Sequence, residues 1–356
     1  MADQSMNLDL LKLIRDGYES GQFDLNLPKF MVSKGLEKHR LTETGLSFLF
    51  SGTPMQIQET CQVLKPVPGK NHMESLSLEN HLEDFPMVMF SRITLSMKNA
   101  ASFLGIRSPI PYAWKVTEEK WIKNGMNFAI GGTGVFKTLV DQPNMTAQIN
   151  FFQQLIQKKV YTSSSSIALV SLAGNDYATY FAKNGSMEGT KAFTKSVIDQ
   201  LVLNLKRIHG VGVQKVAVTG IVPFGCLPSI TSSISYKQCK ETVNNIAKFH
   251  NQLLQQSLQR LNNETGASSV FILLDLYHAF SSALKLKQDH PENSTFENGL
   301  KPCCLGSCGS VDETGAKKYV VCENPKQSFF WDEHHPSDQG WHAVYLALKH
   351  SLHSLL

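Results

Sequence analysis

The stretch Ser166-Ile-Ala-Leu-Val-Ser-Leu172, running directly into Ala173-Gly174-Asn175-Asp176, decides the fold. A strand covered on both faces reads as a near-continuous apolar run, not as an apolar–polar alternation. Three further runs share this character and this abrupt end. Met126–Ile130 stops at a glycine cluster, Lys215–Ile221 stops at Pro223-Phe-Gly225-Cys226, and Ser269–Leu276 runs into Tyr277-His278. Between them the apolar residues recur with a 3.6-residue period, the signature of helices. Thr146 is positioned to cap one that carries Ile149, Phe152, Leu155 and Ile156. A second carries Phe193, Val197, Leu201, Leu205 and Ile208 and ends at Gly210, where a glycine suits a helix stop. A third carries Val243, Ile246, Ala247, Leu253, Leu254, Leu258 and Leu261. Alternating strands and helices predict an α/β domain with a parallel sheet covered by helices. The stripes are core faces.

This pattern spans residues 86–356, with neither internal repeat nor linker, and predicts one domain there. Residues 1–85 form an atypical N-terminal segment, poorly ordered or replacing a strand, broken by Pro54, Pro66 and Pro68. A helix at Met6–Asp16 and a strand at Leu46–Phe50 are its clearest features. Met1-Ala-Asp-Gln-Ser-Met lacks the basic flank and apolar core of a secretory leader. Taken literally, that start predicts a cytosolic protein.

The chain has 356 residues and a net charge of +4, with its 34 Lys and Arg scattered and not clustered. That distribution predicts a solvated surface, with no nucleic-acid partner. No apolar run reaches the ~18 residues that a membrane span requires. Six of the seven cysteines, Cys226, Cys239, Cys303, Cys304, Cys308 and Cys322, lie in the C-terminal part, and Cys61 stands apart. Disulfides in an oxidising compartment are the preferred reading. A zinc site among residues 303–322 is the alternative, although the spacing lacks the C-x2-C pairs of common zinc modules. Asn144, Asn184, Asn263 and Asn293 begin N-x-S/T sequons at a frequency chance would supply, so they do not fix the compartment.

In an open parallel sheet, ligands bind beyond the carboxyl ends of the strands. Gly131-Gly132 and Gly174-Asn175 lie at two such ends, and the loop around Ser229 at a third. A glycine N–H reaches a developing oxyanion without a Cβ in the way, and an Asn amide supplies a second donor. Near the C-terminus, Phe329-Phe-Trp-Asp332-Glu-His-His335-Pro-Ser places an acid three residues before a base. An imidazole that accepts a hydroxyl proton needs a carboxylate to orient it, so Asp332 and His335 fit the last two members of a hydrolytic triad. Gly132 and Asn175 fit the oxyanion donors. Each piece alone has a plainer reading: a turn, a helix cap, an Asp-x-x-His before proline. Their shared order carries the case. His334, His335 and His342 also admit a metal, but no carboxylate-rich cluster accompanies them.

At this point four blocks resemble a known family. Asn127-Phe-Ala-Ile-Gly-Gly, Leu172-Ala-Gly-Asn-Asp, Val222-Pro-Phe-Gly-Cys-Leu-Pro and Phe330-Trp-Asp-Glu-His-His-Pro-Ser, in this order, are similar to blocks of the plant GDSL esterase/lipases of the SGNH hydrolase superfamily. The resemblance covers about Phe90 to Leu356. It implies a three-layer, flavodoxin-like α/β/α sandwich with a mostly parallel five-stranded sheet. It further implies hydrolysis of carboxylic or lipid esters without a cofactor, and secretion; a monomer with neither a metal nor a membrane span is the expectation here. By position, Gly132 and Asn175 match the family's oxyanion residues, and Asp332 and His335 its acid and base. The family's first strand ends in Gly-Asp-Ser, and no such tripeptide occurs in this chain. The first strand is therefore expected to be lost or replaced, by Leu46–Phe50 or Met87–Phe90, and the nucleophile is unassigned. Thr53, after Phe48-Leu-Phe-Ser-Gly, and Ser91, after Met87-Val-Met-Phe, are the substitutes the sequence offers. A catalytically silent binding protein is the alternative function.

Overall fold

A computed structural model describes residues 87–90, 109–112, 125–159, 166–267, 269–289 and 296–355. The helix expected at Met6–Asp16, the strand expected at Leu46–Phe50, and Thr53, Cys61, Ser91 and Asn293 lie outside the described residues.

Six parallel strands form the main sheet: β1 (Met87–Phe90), β2 (Ile110–Pro111), β3 (Gly125–Asn127), β4 (Ile167–Val170), β5 (Lys215–Thr219) and β6 (Phe271–Leu274), in the order β2-β3-β1-β4-β5-β6. β3, β4, β5 and β6 each end before the apolar run that predicted them does, because the last residues of the run leave the ladder for the turns. The sixth strand exceeds the five expected and is a two-residue addition at the edge, Ile110 opposite Met126 and Pro111 opposite Asn127. β1 takes an interior position, with Val88 opposite Met126 on one side and Ala168 on the other. Met87–Phe90 thus occupies the slot between β3 and β4.

The described helices are α1 (Met145–Gln157), α2 (Gly174–Ala182), α3 (Thr190–Gly210), the one-turn α4 (Pro228–Thr231), α5 (Glu241–Thr265), α6 (Leu276–Asp289) and α7 (Asp338–His353). Side chains alternate across a strand, and the three layers follow from that alternation. Ala168 and Val170 of β4, with Val216 and Val218 of β5, join a core built with Ile149 and Phe152 of α1, Val197, Leu201 and Leu205 of α3, and Ala247, Leu254 and Leu258 of α5. Ile167 and Leu169 of β4, with Ala217 of β5 and Leu274 of β6, join a separate core with Phe280 of α6 and Val344, Leu348 and Leu352 of α7. One sheet therefore divides two apolar cores, and helices cover both faces. Among the described residues no helix is long and apolar enough to cross a membrane.

Thr146 does not cap α1. The cap is Asn144, whose side chain accepts the Ala147 N–H, while Thr146 donates its hydroxyl to the Asn204 side-chain oxygen Oδ1 on α3. The cysteines pair as disulfides Cys226–Cys239, Cys303–Cys322 and Cys304–Cys308, which takes up the sulfurs a zinc site would need. The last two fasten an antiparallel hairpin, β8 (Cys304–Val311) with β9 (Lys317–Val321), that follows β7 (Asn298–Pro302). β7 pairs in parallel with β10 (Ser328–Phe330), the strand that leads into Asp332.

Candidate active site

β3 ends at Asn127, whose side-chain oxygen accepts the Ala129 N–H and turns the chain toward the glycine pair. Gly132 then adopts φ +78°, a left-handed conformation that favours glycine. Its carbonyl accepts the Thr138 hydroxyl, which folds the following loop back on the turn. β4 ends in a sharper device. Ala173, buried and without a glycine's freedom, has φ +87° and sits as the first cap of α2. A non-glycine residue held there costs on the order of 1–3 kcal/mol, and such strain concentrates at functional sites. The turn it makes starts α2 at Gly174 and places Asn175 and Asp176 in the first helical turn. Neither residue is the helix cap that an Asn-Asp pair after a strand suggests.

These two strand ends are joined. Asn175 donates from its side-chain amide to the Thr133 carbonyl at 3.0 Å, so the Gly132 turn and Asn175 belong to one contact. The sheet dictates the proximity, because β1 alone separates β3 from β4.

The acid and base are positioned by different means. Phe329 and Phe330 are fully buried in the α6–α7 core, and β10 carries the chain from them into Trp331. The Cys303 N–H donates to the Phe330 carbonyl and the Cys304 N–H to the Trp331 carbonyl, at 3.1 and 2.7 Å. A tight loop follows. Asp332 Oδ1 accepts the N–H groups of His334 and His335 at 2.8 and 2.7 Å, and the Trp331 N–H donates to the His335 carbonyl. The His335 ring nitrogen Nδ1 lies 3.0 and 2.9 Å from the two carboxylate oxygens of Asp332. A carboxylate only accepts, so Nδ1 carries the hydrogen and Nε2 is the basic nitrogen.

Burial raises the pKa of Asp332, but the hydrogen bond and charge of His335 and the two backbone N–H groups outweigh it, leaving a pKa of about 2. The carboxylate therefore stays ionised. His334 is lowered to about 4 by burial, so it is neutral near pH 7. The Ser229 N–H, just inside α4, donates to the Glu333 carbonyl at 3.1 Å. The loop after β5 is thereby tied to the acid–base loop. β5 is in turn the neighbour of β4, with Thr219 donating its hydroxyl to Ser171 at 3.0 Å across the strand ends.

The structure thus brings Gly132 to Asn175, Asp332 to His335, and the Ser229 loop to the Asp332–His335 loop. Two features escaped the sequence reading. Asp176 binds two backbone N–H groups some forty residues away in sequence, with no local signal. Asp275 and His278 repeat the Asp-x-x-His spacing at the end of β6, with Nδ1 and Oδ2 in contact at 2.5 Å. There Asp275 Oδ1 takes the His278 N–H and the Asp275 carbonyl takes the Ala279 N–H, so the pair opens helix α6. The spacing was visible in the sequence; only its position in the sheet separates the two pairs. Among the described residues no group of three or more His, Cys, Asp or Glu is arranged to hold a metal ion.

Comparison with known proteins identifies the family. The family model of the GDSL-like Lipase/Acylhydrolase matches residues 90–348. GDSL esterase/lipase At5g03610 of Arabidopsis thaliana is 49% identical over 277 residues, covering 75% of this chain and 77% of that protein. GDSL esterase/lipase At3g09930 of the same plant is 46% identical over 281 residues, covering 76% and 79%. A more distant relative, inactive GDSL esterase/lipase-like protein 25 of Arabidopsis thaliana, is 27% identical over 239 residues, covering 66% of this chain and 55% of that protein. With nearly half its residues shared over three quarters of its length, and with the family model spanning Gly132, Asn175 and the Asp332–His335 loop, the chain belongs to the GDSL-like lipase/acylhydrolase family.

Proposed function

We propose that this chain hydrolyses carboxylic esters, acyl lipids among them, through an acyl-enzyme and without a cofactor. A hydroxyl oxygen attacks the ester carbonyl carbon as His335 Nε2 takes its proton. The carbonyl oxygen becomes an oxyanion, met by the Gly132 N–H and the Asn175 amide. Collapse breaks the ester C–O bond, and the departing alcohol takes the proton back from His335. Water then repeats the sequence on the acyl-enzyme and releases the acid. Asp332 holds Nδ1 and stabilises the imidazolium formed in each half. One oxyanion donor is typically worth about 2.7–4 kcal/mol of barrier. The observation that carries the reading is the two-oxygen grip of Asp332 on Nδ1 of His335, in a chain where Asn175 also bonds the carbonyl of Thr133, the residue after Gly132. Ser91, next in sequence after β1, and Thr53 are the nucleophile candidates. The hydrolase domain is taken to be 86–356. Three disulfides favour an oxidising, extracellular setting, where exposed sequons would accept glycans. A monomer suffices for this chemistry.

Turnover of p-nitrophenyl butyrate by the purified chain tests the proposal. We expect hydrolysis above buffer, lowered at least about 10³-fold by His335→Ala. The absence of Gly-Asp-Ser favours a second reading, a pocket that binds esters without cleaving them, as does the inactive relative, GDSL esterase/lipase-like protein 25. Folded wild type that binds butyrate esters yet turns over at the buffer rate supports that reading and defeats the first.

A further inference from the structure

We propose that Asp176 is a positioning residue for the oxyanion pair: its carboxylate clamps the loop after Gly132 onto the helix that carries Asn175. The inference rests on the reading that Gly132 and Asn175 are the oxyanion donors. Asp176 is 2% exposed, which is unusual for a carboxylate and calls for partners. The Val135 N–H donates to Oδ2 at 2.9 Å and the Phe136 N–H to Oδ1 at 2.8 Å, so each carboxylate oxygen grips one consecutive amide of the loop. Those amides lie three and four residues after Gly132. Asp176 itself is the next residue after Asn175. The clamp therefore acts beside both donors at once.

Its surroundings are shaped for it. A Cβ added at Gly134 would stand 2.3 Å from Asp176 Oδ2 and 2.7 Å from Oδ1, so the close approach of backbone to carboxylate requires glycine there. Further bonds tie the same two elements together. Asn175 Nδ2 donates to the Thr133 carbonyl at 3.0 Å, and the Leu139 N–H donates to the Thr179 hydroxyl at 3.2 Å. The Gly134 carbonyl accepts the Met145 N–H at 3.0 Å, which fixes the far end of the loop on α1. Burial raises the pKa of Asp176 to about 6 against the opposing pull of the two amides, so the charged clamp is held where a charge is costly. A buried ion kept for stability alone is poor design, since a neutral side chain would avoid the desolvation. A buried ion kept to receive two N–H groups fixes a geometry. A displacement of about 1 Å at such a site is enough to cost about 10²-fold in rate.

The test compares wild type with Asp176→Asn, which keeps the shape but turns one acceptor into a donor facing an N–H. Gly134→Ala serves as the second variant, which leaves the carboxylate in place and presses against it. In protein labelled with 15N at glycine, asparagine and histidine, both substitutions should move the Gly132 backbone amide and the Asn175 side-chain amide signals. The His335 ring signals should stay where they are. With p-nitrophenyl butyrate, kcat should fall about 10- to 100-fold with KM within about twofold. If Asp176→Asn does not fold, Gly134→Ala must still show this pattern. The proposal is overturned if a folded variant leaves the Gly132 and Asn175 signals in place, or if kcat falls by less than twofold. If wild type shows no turnover, the hydrolase reading fails by itself, and the amide signals still decide the role of Asp176.

Discussion

Asp332 and Asp176 are both shielded from water, yet burial wins at one and loses at the other. At Asp332 the imidazole of His335 and two local N–H groups pull the pKa down to about 2, whereas at Asp176 two N–H groups leave it at about 6. Linkage gives the two opposite signs. The Asp332 contribution, about 2 kcal/mol, is present above pH 3.8 and is lost as the pH falls toward 2. The Asp176 charge costs stability above about pH 6 and is relieved as the pH falls toward 3.8. Between pH 6 and 4, Asp176→Asn should therefore lose stability more steeply with acid than wild type, by about 1.4 kcal/mol per pH unit. Urea melts at half-unit intervals check this; parallel profiles for the two proteins would contradict it. The contrast also explains what the sequence disclosed. Asp332 and His335 are three residues apart, so their pairing is written locally. The partners of Asp176 are Val135 and Phe136, and only the sheet brings them near. Asp275 and His278 show the limit of local spacing, since the same interval there opens a helix.

At the level of elements, the sequence disclosed the buried strands and their helices because continuous apolar runs and a 3.6-residue period survive burial on both faces. The ends were less legible. Thr146 and Asn144 are both good caps, and the choice fell to Asn144 because Thr146 instead meets Asn204 across the α1–α3 contact. The hairpin Cys304–Val321 was illegible as strand: its glycines and polar residues give no apolar run, and its disulfides hold what burial does not. Where α7 begins, Ser337 caps the helix by accepting the Gly340 N–H, and its own N–H donates to the Phe329 carbonyl. A Cβ on Gly340 would stand 2.1 Å from that same Phe329 carbonyl oxygen, which is backbone and cannot swing aside. Gly340→Ala should therefore destabilise the fold by about 1–3 kcal/mol through overpacking. It should also lower activity by shifting β10, the strand that leads into Asp332. Thermal melting checks the first effect, and an unchanged Tm would contradict the close packing.

Over the whole molecule, one sheet separates two cores, and the candidate site residues come from both. Gly132, on a loop, and Asn175, in the first turn of α2, are backed by the α1–α3–α5 core, while Asp332 and His335 follow a strand locked into the α6–α7 core. The family fold was legible from four ordered blocks, and Met87–Phe90 was one of two segments offered for the interior slot it takes; the short run alone could not decide, because only its pairing with β3 and β4 fixes the position. The two halves meet through β4, β5 and the Ser229–Glu333 bond. Cys303–Cys322 holds the residues that bond Phe330 and Trp331, so it supports the acid–base side from behind. Replacing both cysteines with serine should cost about 3 kcal/mol, by the loop-closure argument for a crosslink of this span. Denaturant titration measures it, and a loss below about 1 kcal/mol would show that packing alone holds the loop. The most direct test of the joint site is labelling with a fluorophosphonate ester, whose adduct needs a nucleophile, a base and an oxyanion pocket together. Peptide mass spectrometry should find one hydroxyl of the intact chain phosphonylated, with labelling abolished by His335→Ala and slowed at least tenfold by Asn175→Ala. Labelling that ignores both substitutions, or none at all on folded protein, would contradict the account.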